Sequence, residues 1–209
     1  MIPLRDDNPA HKPPIFTLLL IAGCVATFLW QLSLGNALPR AIYEFGFVPL
    51  AIFADVQTEI PVAATIVTSM FLHGGALHLA GNMLYLWVFG DNIEDAFGHI
   101  KFLLFYFACG IVAALTQAAV DLNSNIPMIG ASGAVSGVLG AYIVHYPGVR
   151  VLVFIPIFFF RLPAVLVLGV WFLSQLANSV VADDGPGVAF AAHVGGFVAG
   201  VVFAVLLRK

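Results

Sequence analysis

Long apolar runs broken by short polar stretches dominate the chain. Hydropathy and punctuation predict six helices, near residues 15–33, 75–90, 102–120, 132–145, 162–181 and 188–207. A bilayer core about 30 Å thick takes about 20 apolar residues to cross, and most of these runs come near that length. The fourth is the exception. Its roughly 14 residues, at 1.5 Å each, reach only about 21 Å, so one of its ends is expected below the membrane surface. The pattern therefore predicts an all-α integral membrane protein, a bundle of six transmembrane helices.

Composition sharpens this picture. Of 209 residues, 61% are hydrophobic and 9% charged, and mean hydropathy is +1.03, whereas soluble domains carry roughly 25% charged residues. The polar stretches are too short for a separate soluble domain, so one membrane domain over 1–209 is expected, with a short N-terminal tail at 1–14. The apolar run from Ile15 to Leu32 exceeds the roughly 7 to 15 residues of a secretory signal core and reads as an uncleaved signal anchor. Asp6 and Asp7 argue against an organelle transit peptide.

Charge orients the bundle. With a cytoplasmic N-terminus, Arg5, Lys12, Lys101, Arg150, Arg161, Arg208 and Lys209 all lie inside and Arg40 alone lies outside. Both termini are then cytoplasmic, and short loops favour a bacterial inner (plasma) membrane. A net charge of -3 with no basic run beyond Arg208-Lys209 excludes nucleic-acid binding. Cys24 and Cys109 fall in apolar runs and read as small hydrophobes. A functional monomer is expected.

Two polar side chains in this greasy context carry the candidate chemistry. Ser132 opens the fourth run among small residues, Gly130-Ala131-Ser132-Gly133, and His193 opens the last, Ala191-Ala192-His193-Val194-Gly195-Gly196. In the predicted topology both sit at the outer ends of their helices, and an imidazole is the side chain suited to take a serine's proton near neutral pH. Helix four carries Gly133, Gly137 and Ala141 at i, i+4 spacing, and helix six carries Ala192, Gly196 and Gly200. Stripes of small residues let helices approach closely in lipid. Pairing Gly133 with Ala192, Gly137 with Gly196 and Ala141 with Gly200 brings Ser132 beside His193. On their own such stripes merely pack helices; here packing and positioning predict the same arrangement.

His78 and Asn82 share one face of helix two, near its outer end. Polar groups in a membrane usually face a cavity or a partner, and these two are candidate donors to an oxyanion, against the alternative of interhelical hydrogen-bond glue. His73, at the mouth of that helix, reads as a structural anchor for the preceding loop. No H-E-x-x-H pattern or nearby glutamate supports a metal site on these histidines. Asp121, Asp183 and Asp184 fall in predicted outer loops, where an aspartyl protease would not keep them. No carboxylate is evidently placed to orient His193, so a Ser-His dyad is expected. A solute transporter is the weaker reading, since the polar residues cluster toward one leaflet and no inverted repeat is visible.

These motifs, in this order, resemble the rhomboid intramembrane serine proteases. The resemblance covers nearly all six helices and includes Gly130-Ala131-Ser132-Gly133, the His73, His78 and Asn82 pattern, Gly90-x-x-x-Glu94-x-x-x-Gly98, and Ala192-His193-x-x-Gly196-x-x-x-Gly200. It implies Ser132 as nucleophile, His193 as general base, and His78 with Asn82 as oxyanion donors. It also implies single-pass transmembrane proteins as substrates, cut near the outer leaflet, and no metal or organic cofactor. A catalytically silent relative that binds membrane-protein helices is the alternative. The chain departs from the family pattern at two places. Ser136 stands where many members have an aromatic stacked on the histidine, and the loop from Gly35 to Leu72 offers Arg40, Tyr43, Phe45, Phe47 and Phe53 but no tryptophan. That loop is still expected to lie in the outer interface. Trp171, Phe172 and Gln175 sit where substrate would reach the site laterally. Glu94 is expected to cap the first turn of the helix that follows it.

Overall fold

A computed structural model describes residues 1–52, 59–181 and 188–208. Among the described residues eight α-helices are formed: α1 (Ile15–Ser33), α2 (Leu38–Phe45), α3 (Val62–Thr68), α4 (Ala76–Phe97), α5 (His99–Val120), α6 (Ser132–His145), α7 (Ala164–Val181) and α8 (Phe190–Leu207). α1, α5, α7 and α8 are each long and apolar enough to cross a membrane, and Val62–Phe71 with Ala76–Phe97 qualifies as a fifth, bent span with an 85° break. α6 is the short helix expected. Every residue from Gly133 to Tyr142 is buried, because α4, α5 and α8 surround it. A helix enclosed by protein need not match the lipid thickness.

The second helix runs seven residues past its expected end at 90. Asp91, Glu94 and Asp95 end the hydropathy signal without ending the helix, since each finds a partner at that end of the bundle. Glu94 is nearly fully buried. Its carboxylate accepts from Phe16 N at 2.9 Å, Thr17 N at 2.8 Å and Thr17 Oγ1 at 2.8 Å, and lies 2.6 Å from His99 Nδ1. It therefore caps the first turn of α1, correcting the expectation that it caps the following helix. The chain reverses between α4 and α5 at Gly98, whose φ of +78° favours glycine.

The structure adds an element that the helical pattern does not predict. Strands β1 (Ile2–Asp6), β2 (Arg150–Ile155) and β3 (Phe158–Pro163) form an antiparallel sheet in the order β1-β2-β3. β2 and β3 make a hairpin between α6 and α7, and the N-terminal segment closes its edge. Tyr142 Oη, at the foot of α6, donates to the Asp6 carboxylate.

Hydrogen bonds at opposite ends give the helix directions. Glu94, Thr17 and His99 meet at one end, whereas Gln31 binds the backbone of His73 at the other, through Gln31 Nε2 to His73 O at 3.1 Å and His73 N to Gln31 Oε1 at 2.9 Å. α4, α6 and α8 thus start at the end where α1, α5 and α7 finish. Between α1 and α4 lie α2 and α3, within the described part of the expected interfacial loop. Phe47 is buried and exchanges backbone hydrogen bonds with Met128, at 3.1 and 2.8 Å, tying this segment to the loop before Ser132. Phe53 lies outside the described residues.

Candidate active site

The approach to Ser132 is shaped by Gly130. Its φ of +122° is open to glycine, and a Cβ there would lie 2.8 Å from His78 Nε2 and Cε1. Its N–H donates to Ser69 O at 2.8 Å. The chain can therefore pass directly against His78 before turning into α6, with Ser132 as the first helical residue. The first backbone N–H groups of a helix have no intrahelical acceptor and carry partial positive charge.

α8 presents His193 in its first turn, and the two helices meet backbone to backbone. A Cβ on Gly196 would sit 2.1 Å from Gly133 O, and one on Gly200 would sit 2.0 Å from Gly137 O. Gly133 and Gly137 therefore interleave with Ala192, Gly196 and Gly200, in the parallel register that the two stripes predict. Toward the C-terminal end of α6 Gly140, packed on Phe197 O, continues the seam that the pairing had given to Ala141. Gln117 of α5 fixes the start of α8 by accepting from Ala192 N at 3.2 Å.

His193 is 8% exposed. Its Nδ1 lies 2.7 Å from Gln175 Oε1, its ring is 6.0 Å from Trp171 at 32°, and Phe190 meets it edge-on. Ser136 gives no support from below, because its hydroxyl donates to Ser132 O at 2.6 Å. What the sequence leaves unassigned, the support of the imidazole, comes from α7.

His78 and Asn82 project from the first two turns of α4. Gly74 N donates to His78 Nδ1 at 3.3 Å, leaving the ring's Nε2 to carry the hydrogen. Among the described residues Asn82 Nδ2 is buried without a hydrogen-bond partner. His73 anchors the loop, with Nδ1 3.1 Å from Phe71 O, and among the described residues its buried Nε2 also has no partner. Ser132, His193, His78, Asn82, Gln117 and Gly130 all line one cavity of about 1120 Å³. Asp121, at the end of α5, lies on the same cavity, half-buried and accepting from Asn123 N at 3.0 Å. Asp183 and Asp184 lie outside the described residues. Among the described residues no hydrogen bond joins Ser132 to His193; catalytic pairs in free enzymes are often long and close on substrate. Nor, among those residues, is any group of three or more His, Cys, Asp or Glu side chains placed to hold a metal ion.

Gln117 carries no signal in the motifs read from the sequence, and Gln175 reads there only as part of the lateral approach. The available clue was the cost of an amide in an apolar helix, which implies a partner.

Comparison with known proteins places the chain in a family. A family model described as the Rhomboid domain matches residues 62–209. The chain is 35% identical over 129 residues to "Rhomboid protease GluP" of Bacillus subtilis, covering 61% of this chain and 24% of that protein. It is 31% identical over 156 residues to "Rhomboid protein 1, mitochondrial" of Saccharomyces cerevisiae, covering 69% and 42%. It is 30% identical over 193 residues to "RHOMBOID-like protein 4" of Arabidopsis thaliana, covering 88% and 46%. The chain spans less than half the length of these relatives. With its membrane-spanning helices and this match, the protein is a multi-pass membrane protein that belongs to the rhomboid family.

Proposed function

We propose that the chain is an intramembrane serine endopeptidase that cuts single-pass transmembrane proteins near the outer leaflet with Ser132 and His193. The observation that carries this reading is the shared cavity, in which a helix-terminal serine, an imidazole and an unpartnered buried amide donor converge. Ser132 Oγ attacks the substrate carbonyl carbon while His193 Nε2 takes its proton. Oxyanion donors are Asn82 Nδ2, His78 Nε2–H and the backbone N–H groups opening α6. The intermediate collapses, the imidazolium gives its proton to the leaving amine, and water from the outer face hydrolyses the acyl-enzyme. The bundle is read as six spans, with α3 and α4 as one bent span and α6 enclosed, both termini facing the cytoplasm of a bacterial cell.

The test is covalent labelling of the detergent-solubilised protein by a fluorophosphonate, with the modified peptide identified by mass spectrometry. Labelling at Ser132 that is lost in both Ser132→Ala and His193→Ala is expected. Folded wild-type protein that takes no label would overturn the reading in favour of a silent helix-binding relative.

A further inference from the structure

The amide that faces His193 is itself held in one orientation. Gln175 Nε2 donates to Ser174 Oγ at 3.1 Å, and Ser174 Oγ donates to Trp171 O at 2.6 Å. With Nε2 engaged there, Oε1 is the atom 2.7 Å from His193 Nδ1. A carbonyl oxygen accepts, so Nδ1 must carry the hydrogen, and Nε2 keeps the lone pair that a general base needs.

We propose that Gln175 is the positioning residue for His193, and that it works as a latch, holding the base tautomer only while α7 lies against α8. The proposal rests on the protease reading above. Its mechanical half follows from how α7 is packed. The buried residues of α7 are Ala164, Val167 and Leu168, all near its cytoplasmic start. Leu173, Leu176, Val180 and Val181 are exposed. Near the site α7 touches α8 through stacked Phe172 and Phe197 rings, 4.5 Å between centroids, and through Trp171. Swinging the outer half of α7 away to admit a substrate helix carries Gln175 off Nδ1. Returning it restores the tautomer, so alignment of the base is tied to closure. A neutral amide also fills the orienting role without placing a carboxylate in an apolar layer, where a charge is costly.

The experiment uses full-length protein in detergent and reads two signals: the rate of fluorophosphonate labelling at Ser132, and the histidine 15N NMR spectrum. Gln175→Leu should slow labelling by about tenfold or more and replace the single Nδ1–H signal of His193 with a tautomer mixture. Gln175→Glu keeps the acceptor oxygen and should retain the tautomer and most of the rate. Cross-linking Phe172→Cys to Phe197→Cys with a short bis-maleimide holds α7 on α8 and separates positioning from packing. Under the proposal this lock leaves Gln175→Leu slow; if it restores the rate, Gln175 is only a prop for α7 and the proposal fails. It also fails if Gln175→Leu labels at the wild-type rate, or if His193 keeps Nδ1–H without Gln175. Wild-type protein that takes no label would sink the protease reading instead, and the 15N spectrum would still judge the tautomer bond by itself.

Discussion

His193 is held from two sides by very different means. Toward α6, α8 offers Gly196 and Gly200, and their backbones approach so closely that a single added methyl would overlap a carbonyl oxygen. Toward α7 it offers a few side chains: one amide, one indole, one pair of stacked rings. The first contact is rigid because main chain cannot rotate out of the way. The second depends on where a lightly buried helix happens to lie. Distance between serine and histidine is thus assigned to the stiff seam, and orientation of the imidazole to the soft one.

Substitutions on the two sides should therefore fail differently. The largest effect is expected from Gly200→Val, which forces α6 and α8 apart and should cost about 3 kcal/mol. A fall in thermal midpoint together with lost labelling would confirm it, and an unchanged midpoint would break the seam's claim to rigidity. Glu94→Ala removes an acceptor of several hydrogen bonds at the opposite end and should cost about 2 kcal/mol. Labelling per folded molecule should stay at the wild-type level, because the loss is remote from the site. Phe172→Ala, on the soft side, should lower stability by less than about 1 kcal/mol yet slow labelling several-fold as α7 loosens. Unchanged labelling and unchanged cleavage of a membrane substrate would remove Phe172 from any part in access.

The smallest effect concerns pH and lies away from both contacts. Burial pushes the Asp6 carboxyl up from its ordinary 3.8 to about 6, against the Tyr142 hydrogen bond and with the help of Asp91. Folding favours the protonated carboxyl, so this contribution is complete below about pH 4 and is lost as pH rises through about 6. The thermal midpoint should fall across that window, and Asp6→Asn should flatten the dependence.

The seam was legible in the sequence because glycine at every fourth position on two apolar runs has one economical arrangement, and that arrangement also sets Ser132 near His193. The soft side was not, since Gln175 is a single residue whose partner depends on the rotation and tilt of α7. The length of α4 was hidden because Asp91, Glu94 and Asp95 look like the polar water edge when seen one-dimensionally. In the fold they meet Asn92, Thr17 and Lys12. The sheet was hidden for another reason. Arg150–Ile155 and Phe158–Pro163 are short apolar stretches that periodicity alone does not separate from helix, and their third strand comes from the other end of the chain.

That third strand has a consequence for how the protein is made. β1 pairs with β2, so residues Ile2–Asp6 have no sheet to join until Arg150–Ile155 have left the ribosome. By then α1, α4, α5 and α6 have already been delivered to the membrane. Through most of synthesis β1 has no partner strand, and its closure onto the hairpin, with Asp6 meeting Tyr142, has to follow the synthesis of α6. Protection of residues 2–6 from proteolysis in stalled chains of increasing length would therefore report when α6 has been inserted and seated.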